Sequence, residues 1–377
     1  MDGKIVTLTG TPILTELQEF IIENPNTWEE KLSEHPYSLK ISHKDKFVLF
    51  KYNQIESDFA LAICREARGL ILETGTWRIV RAAFKKFFNI EEPYAATIDW
   101  ASAVATLKLD GSLVSLWWDG EDWRWSTNGV IDAKDAPLEN GGFKTFQNLI
   151  DFVLESYPID YDKLNTNYTY TMELCSRANK IVIDYPIPIL YHTLTVDNRT
   201  LQEIDTDIGL PKPAVYICES KKDYQNLVAA FGQDKEGIVV KDKNCNRVKI
   251  KTPLYFELHR QINNGKVSIE SALQLMLDND QEEFLSYFEE QRPFFEKVEA
   301  AYIERSSKLI DILVEVAEWR HNNMFATRKD FAAWVKKKDR DFNYYFLAYD
   351  GKLEKKMTEV GNDAKKIIKF LKMEDCV

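Results

Sequence analysis

The sequence predicts an α+β protein in which a strand-rich part is followed by an all-helical C-terminal part. From Lys46 to about Lys251, short runs of β-branched and aromatic residues alternate with turn residues, a pattern that is typical of strands. After Lys251 the apolar residues recur three or four positions apart, as they do on the buried face of a helix. The same spacing occurs between Phe143 and Tyr157, so we expect a helix within the strand-rich part.

The change of period places a domain border near residue 260. We expect one domain over residues 1–260 and a second, helical and partly basic domain over residues 261–377. The periodicity predicts four helices in the second domain, over residues 268–277, 282–320, 329–349 and 353–371. Thr327 to Asp330 have the order of a capping box before the third of these helices, and Asp350-Gly351 follows its end.

The composition indicates an ordinary soluble globular protein. Of the 377 residues, 45% are hydrophobic and 29% are charged. No window reaches the roughly 18 consecutive apolar residues of a membrane span, so we expect a cytoplasmic protein without membrane contact. The cysteines are odd in number and scattered, and the histidines show no ligand spacing. This argues against a disulfide framework and a built-in zinc site, so any metal ion should be exchangeable.

The charge is unevenly distributed along the chain. The formal net charge of -11 argues by itself against a nucleic-acid partner, because phosphate binding depends on Lys and Arg. Between Arg320 and Lys372, however, 14 Lys or Arg stand against 7 Asp or Glu. This basic segment favours RNA contact, although a solvated helix face would explain the same charges equally well.

The most informative segment is Lys108 to Ser112, with the sequence Lys-Leu-Asp-Gly-Ser. We expect a strand that ends in a tight Asp-Gly turn and presents Lys108 at its mouth. Gly111 permits the tight turn and the close approach of a ligand, and Asp110 can brace the turn. A motif this short decides little by itself, because a surface lysine beside a turn would look the same.

Three strands downstream carry charges among apolar neighbours. They are Thr171 to Leu174, which contains Glu173, then Glu236 to Val240, and Val248 to Lys251. Lys249 and Lys251 are two positions apart on one strand, so both point to the same face. Two like charges on one face are costly unless an anion lies between them, and a polyphosphate would satisfy that requirement.

The order of these residues along the chain resembles that of the covalent nucleotidyltransferases, a superfamily of DNA ligases, RNA ligases and mRNA capping enzymes. The residues in question are Lys108, Glu173, Glu236, Lys249 and Lys251. Two segments upstream, Arg65 to Leu72 and Phe84 to Asn89, are similar to those of an RNA ligase. Together with Asn179 to Val182 and Lys249 to Tyr255, they resemble the T-even bacteriophage RNA ligase 1 family over about residues 46–260.

This resemblance implies a nucleotidyltransferase fold for residues 1–260, with ATP-grasp-like antiparallel sheets around a nucleotide cleft, and RNA or tRNA binding by residues 261–377. It implies an adenylyltransferase that joins RNA 5′-phosphate and 3′-hydroxyl ends through an AMP-lysine and an adenylylated RNA 5′ end. ATP would be the co-substrate, with Mg²⁺ as the metal ion and Mn²⁺ as a substitute. The partners would be single-stranded RNA ends, with nicked tRNA as the type substrate. The enzyme would act as a monomer in RNA repair, in the host cytoplasm if phage-encoded.

The resemblance also gives each matching residue a role. Lys108 would be the nucleophile, and Lys249 and Lys251 would help it to lose its proton by disfavouring the charged amine. The nucleotide would be bound by Arg68, Lys86, Asp110, Gly111, Glu173, Glu236 and Tyr255. Among these, Arg68 and Lys86 would hold the β- and γ-phosphates, Glu173 would contact the ribose, and Glu236 would also contact the magnesium ion.

Some of these residues have a purely structural interpretation as well. Arg68 would then pair with Glu66 or Glu73, Glu173 with Arg177 or Lys180, and Tyr255 would be a core aromatic. The chain also departs from the family at one position, because Asn128 follows the hairpin where a basic residue is common. Lys134 or a metal ion would have to replace that charge, or the triphosphate would be held less tightly.

Two other functions compete with RNA ligation. Another polynucleotide ligase of the same superfamily would continue into a strand-rich OB domain, whereas the C-terminal periodicity here is helical. A non-catalytic nucleotide- or RNA-binding protein is the second alternative, and it would hold only if Lys108 cannot be adenylylated.

Overall fold

The computed structural model describes residues 14–82, 84–138, 141–179, 183–232, 234–252, 267–278, 281, 284–285, 288–338, 341–361 and 363–373. The chain divides into two compact units, Met1–Leu258 and His259–Val377. The predicted border near residue 260 lies outside the described residues. The described strands all belong to the first unit, and the described part of the second unit is helical. The predicted α+β class is therefore confirmed.

The first unit is built around three sheets. Its strands are β1 Lys40–Lys44, β2 Phe47–Lys51, β3 Arg68–Glu73, β4 Ile79–Arg81, β5 Phe88–Asn89, β6 Val104–Lys108, β7 Ser112–Trp118, β8 Trp123–Thr127, β9 Tyr168–Cys175, β10 Ile189–Asp197, β11 Val215–Tyr216, β12 Gly237–Lys241 and β13 Arg247–Lys251. The strand orders are β1-β2-β3-β4, β10-β9-β7-β8 and β11-β6-β12-β13-β5. Neighbouring strands are antiparallel, except that β13 pairs with β5 in parallel.

The helices of the two units serve different purposes. The helices of the first unit are α1 Glu16–Glu23, α2 Trp28–Ser33, α3 Ala62–Glu66, α4 Phe146–Ser156 and α5 Lys221–Ala229. Those of the second unit are α6 Ile269–Asp278, α7 Arg292–Asn322, α8 Arg328–Val335, α9 Phe342–Tyr349, α10 Leu353–Val360 and α11 Ala364–Leu371. In the first unit the helices cover sheet faces, whereas in the second they pack on one another. Among the described residues, no helix is both long and apolar enough to cross a membrane.

Three of the helices predicted in the second unit are wrong in extent. Within the predicted helix over residues 282–320, the long helix α7 begins only at Arg292, after a 3₁₀ helix over Glu289–Gln291, and each of the other two is a pair of helices. The predicted helix over residues 329–349 is α8 followed by α9, and Asp341 has a left-handed backbone with a φ of 66° just before α9. The predicted helix over residues 353–371 is α10 followed by α11, and Gly361 has a φ of 60° after α10. Apolar spacing does not reveal such breaks, because both helices of a pair bury residues of the same periodicity. The capping box at Thr327 and Asp330 is present and begins α8.

The cores of two sheets fix the strands that carry the site. In the β10-β9-β7-β8 sheet, alternate residues such as Val114 and Met172 pack with Leu149 and Val153 of α4. In the five-stranded sheet, Ile238, Val248 and Ile250 pack with Tyr224 and Val228 of α5. Because successive side chains of a strand point to opposite faces, the residues between these apolar ones point away from both helices. The chemistry of the site lies on those opposite faces.

Candidate functional site

One row of the five-stranded sheet carries two of the predicted catalytic lysines. Gly237 lies directly opposite Lys108 of β6 on one side and directly opposite Lys251 of β13 on the other. Directly opposed residues of antiparallel strands share a face, so both lysines lie on the face away from α5, with only a glycine between them. A Cβ at Gly237 would lie 2.1 Å from the carbonyl oxygen of Ile250. Glycine is therefore required here, and it leaves the space between the two lysines open.

The carboxylate of Glu236 joins the two lysines. Its Oε2 lies 2.6 Å from Lys108 Nζ, and its Oε1 lies 3.0 Å from Lys251 Nζ. The side chains of Glu236 and Lys251 are only 2% and 3% exposed, whereas that of Lys108 is 21% exposed. One carboxylate therefore faces two ammonium groups, which leaves a local excess of one positive charge. Of the two lysines, Lys108 is the one that reaches solvent.

The turn after Lys108 connects the two sheets at the site. Asp110 is buried, and its Oδ2 accepts a hydrogen bond of 2.6 Å from the backbone N–H of Ile183. The backbone N–H of Asp110 donates to the hydroxyl oxygen of Tyr185 at 3.3 Å. A Cβ at Gly111 would lie 2.4 Å from the carbonyl oxygen of Leu174. Both residues of the predicted motif thus brace the turn against β9 and its following loop, and so position Lys108.

Glu173 lies on the second sheet and faces the same site. It is directly opposite Leu113 of β7 and Tyr191 of β10, on the face away from α4. Burial raises the pKa of its carboxyl to about 7, an effect that Lys108 and Arg68 oppose and that Glu236 reinforces. The structural alternative of a pair with Arg177 is not formed, because Arg177 binds Asp184 at 2.8 Å. Lys180, the other predicted partner, lies outside the described residues.

The raised pKa of Glu173 predicts a pH dependence of stability. A carboxyl that binds its proton more tightly in the folded state contributes stability that is lost as the pH rises from the usual pKa of 4.5 to the folded value of about 7. We expect urea unfolding to show this loss in the wild type and a flatter curve in Glu173→Gln, which cannot titrate. Replacement of the exposed Glu219 by glutamine should leave the curve unchanged. Equal slopes for wild type and Glu173→Gln would contradict the assignment.

A β-bulge positions Arg68 at the edge of the same site. Phe50 pairs with Leu70 and Lys51 pairs with Arg68, so Gly69 is the extra residue of the bulge, and its φ is +75°. A glycine in this conformation is typical of such bulges. The guanidinium of Arg68 packs on Phe84 and Phe87, with its carbon 5.8 and 5.1 Å from the ring centroids.

The structural alternative for Arg68 is wrong. Glu66 pairs with Lys85 at 3.0 Å, and Glu73 pairs with Lys46 and Arg78 at 3.0 and 2.6 Å. Arg68 Nη1 is buried and has no hydrogen-bond partner within the described part of the chain. A buried guanidinium donor of this kind is suited to a bound anion.

The remaining predicted site residues lie further from this centre or outside the described residues. Lys249 precedes Lys251 by two positions on β13 and therefore shares its face. Lys86 is buried, and its Nζ lies 4.7 and 4.3 Å from the ring centroids of Tyr52 and Phe59. It lines a cavity of about 400 Å³, and neither Lys108 nor Glu236 is among the described residues that line this cavity. Tyr255 lies outside the described residues.

Two residues that shape the site, Gly237 and Tyr185, are not among those predicted from the sequence. Gly237 leaves open the space between Lys108 and Lys251. The sequence indicates this only by the presence of a glycine directly after Glu236 at the start of a predicted strand. Tyr185 meets the backbone of Asp110 from a loop 75 residues away, and no local pattern could have revealed it. The aromatic side chain of Trp117 packs in the protein interior against Phe47, with ring centroids 5.0 Å apart.

Comparison with known proteins identifies the family. A family model for RNA ligase matches residues 66–255, about half of the chain. A putative bifunctional polynucleotide kinase/RNA ligase of Autographa californica nuclear polyhedrosis virus is 27% identical, over 64% of this chain and 37% of that protein. The chain thus spans little more than a third of that relative. The RNA ligase of Rhodothermus phage RM378 is 26% identical, over 89% of this chain and 93% of that protein.

Among solved structures, an archaeal ATP-dependent RNA ligase aligns over 96% of this chain and 91% of that chain, with 13% identity and a TM-score of 0.43. A similarity of that size transfers no geometry. The matched residues 66–255 include Arg68, Lys108, Glu173, Glu236 and Lys251, the residues from which the resemblance was drawn. The resemblance is therefore confirmed. The chain belongs to the RNA ligase family.

Proposed function

We propose that this chain seals RNA ends with ATP, and that Lys108 carries the AMP between the two substrates. The observation that supports this most strongly is the row of Lys108, Gly237 and Lys251, with Glu236 joined to both lysines. The partly exposed amine of Lys108 lies on the same face as the buried ammonium group of Lys251. Gly237, between them, has no side chain to fill the space. A covalent nucleotidyl carrier needs such an amine together with a stabilised anion site.

The first step follows from this arrangement. The neutral amine of Lys108 attacks the α-phosphorus of ATP, a phosphorus–nitrogen bond forms, and pyrophosphate leaves. Lys251 is held in place by Glu236 and stabilises the negative charge that develops on the phosphoryl oxygens, and Lys249 on the same face reinforces it. Lys108 also has to move away from Glu236 to react, because a protonated amine in an ion pair is not a nucleophile.

The next two steps use the same cleft. AMP passes from Lys108 to the 5′-phosphate of an RNA end, and the 3′-hydroxyl of a second end then displaces AMP and closes the phosphodiester. Glu173, Asp110 and Gly111 line the approach to Lys108, so we assign them to the nucleoside part of the AMP, with Glu173 toward the ribose. Arg68 and Lys86 are assigned to the β- and γ-phosphates, and Tyr255 to the nucleotide.

We assign a divalent metal ion to the site as a partner of the substrate phosphates. Within the described residues, no group of three or more His, Cys, Asp or Glu side chains could hold a metal ion. Mg²⁺ binds through one or two carboxylates together with substrate phosphates, and Glu236 with Glu173 nearby meets that requirement. Bound Mg²⁺, or Mn²⁺ in its place, would neutralise charge on the ATP phosphates, and Glu236 would hold it.

The RNA partner is assigned to the second domain, residues 261–377. Its basic segment offers sites for phosphates, and exposed apolar side chains such as Met324 and Phe325, which are 77% and 98% exposed, lie next to basic residues at the end of α7. We assign single-stranded RNA ends as the substrate, nicked tRNA among them, and we place the activity in RNA repair. We also propose that the enzyme acts as a monomer in the cytoplasm, and in that of the host cell if it is phage-encoded.

The test is the joining of a defined RNA. Purified protein is incubated with Mg²⁺, ATP and a 5′-phosphorylated RNA oligonucleotide, and the products are separated by size. We expect circular or dimeric RNA to form with release of AMP, and the same oligonucleotide without its 5′-phosphate to remain unchanged. ATP binding without any covalent adduct or joined product would instead favour a non-catalytic nucleotide-binding protein. Efficient joining of DNA alone would favour another polynucleotide ligase.

A further inference from the structure

The bulge at Gly69 places a row of cations beside the nucleotide cleft. Lys40 of β1 lies directly opposite Lys51 of β2, and Lys51 lies directly opposite Arg68 of β3. Cross-strand like charges destabilise a sheet, and the carboxylate of Glu56 acts on the charge of Lys40. Arg68 lies close enough to Glu173 to influence its ionisation, so the row leads from the edge of the sheet into the cleft.

The ammonium group of Lys51 has an unusual setting in this row. Its side chain is half-buried, and no ion pair or hydrogen bond to Lys51 Nζ is formed within the described residues. Burial lowers the pKa of this amine, and the neighbouring charge of Lys40 lowers it further. On one side it faces Arg68, whose Nη1 is also buried and without a hydrogen-bond partner in the described structure. Because the two residues are directly paired across neighbouring strands, one bound anion could accept hydrogen bonds from both side chains.

Lys51 also lies where the chain departs from its family. A Cβ at Gly129 would lie 3.4 Å from Lys51 Nζ, so the ammonium group lies beside the residue that follows Asn128. The resemblance leads one to expect a basic residue at Asn128, but its Oδ1 instead accepts a hydrogen bond of 3.0 Å from Arg81 Nη2. Arg81 is completely buried, and a lysine at position 128 could not accept this bond. Lys134, the other predicted substitute, is exposed on a short 3₁₀ helix, Ala133–Asp135.

We propose that Lys51 supplies the positive charge that Asn128 lacks, and that together with Arg68 it binds the β- and γ-phosphates of ATP. This inference rests on the proposed function, because it names a further residue of the same nucleotide site. It makes Lys51 a binding residue for the pyrophosphate leaving group. It also predicts that Lys51 acts only in the step that uses ATP, because neither AMP nor adenylylated RNA has a β- and γ-phosphate tail.

The test compares Lys51→Met, Lys51→Arg and a control, Lys163→Met, at a side chain that is 82% exposed. Three quantities are measured: the ATP concentration that half-saturates adduct formation, the affinity for AMP, and the rate at which pre-adenylylated RNA is sealed without ATP. For Lys51→Met we expect the half-saturating ATP concentration to rise about 10- to 100-fold, the size of one charged hydrogen bond. AMP affinity and sealing of pre-adenylylated RNA should match the wild type. Lys51→Arg, which keeps the charge, should recover most of the ATP affinity.

The three measurements separate the possible failures. Unchanged ATP dependence in Lys51→Met would overturn the role of Lys51 and leave the ligase function intact. An equal loss of ATP and AMP affinity, or a loss of sealing with pre-adenylylated RNA, would also overturn it, because Lys51 would then act through the fold. If the wild type formed no adduct and sealed neither substrate, the proposed function itself would fail. Should Lys51→Met not fold, Lys51→Gln replaces it: wild-type AMP affinity with a raised ATP requirement supports the role, and unchanged ATP dependence or equal losses for both ligands contradict it.

Discussion

Replacement of Lys108 by alanine should abolish the covalent AMP adduct and lower ATP-dependent joining of RNA by about three orders of magnitude or more, because no other group can replace a covalent nucleophile. The measurement is radioactivity retained on the denatured protein after incubation with Mg²⁺ and α-labelled ATP. Lys108→Arg provides a sharper comparison, since it keeps a positive charge beside Glu236 but cannot become a neutral amine. We expect this variant to fold normally and still to form no adduct.

The same variants can separate chemistry from binding. The last step does not use the amine of Lys108 as a nucleophile, so Lys108→Ala should still seal pre-adenylylated RNA at a measurable rate. Lys163→Ala, a change at an exposed surface pair with Asp160, should behave as the wild type in both assays. An adduct that persists in Lys108→Ala and maps to Lys249 or Lys251 would show that the nucleophile was assigned to the wrong lysine.

Sequence periodicity was sufficient for the parts of the site that lie on one strand. The two-residue spacing of Lys249 and Lys251 places them on one face of β13 whatever the rest of the fold does, because side chains alternate along a strand. Such a feature depends on neighbouring residues only, so the sequence alone predicts it. The tight Asp-Gly turn predicted after Lys108 is instead a bend at Gly111 between two sheets, and distant residues such as Ile183 and Tyr185 hold it.

Contacts between distant strands could not be predicted in this way. Lys108 meets Glu236 and Lys251 because β6 pairs with β12, and these two strands are far apart in the sequence. The hydrophobic pattern of a strand sets which face is buried but does not identify a distant partner strand. Lys51 is a similar case, because it meets Arg68 only through the bulge at Gly69. The family resemblance gave the order of the site residues along the chain, whereas the residue that compensates for Asn128 became visible only in three dimensions.

Glu236→Gln should cause the largest loss of stability of any single change at the site. The ion pair between Glu236 and Lys251 is almost fully buried, with side-chain exposures of 2% and 3%. Removing one partner of such a pair leaves the charge of the other uncompensated, which costs about 3–5 kcal/mol. We therefore expect urea unfolding of Glu236→Gln to show a reduction of this size in the free energy of unfolding, together with loss of the AMP adduct.

A double-mutant cycle identifies the cause of that loss. Lys251→Met alone leaves Glu236 paired with Lys108, whose side chain is 21% exposed, so its cost should be smaller than that of Glu236→Gln. In Glu236→Gln/Lys251→Met no buried charge is left without its partner, so stability should recover by at least about 1 kcal/mol relative to Glu236→Gln. The adduct should not return, because Lys251 is also needed to stabilise the reacting phosphate. If the two substitutions were simply additive in stability, the buried ion pair would contribute no coupling, and the loss in Glu236→Gln would not come from an uncompensated Lys251.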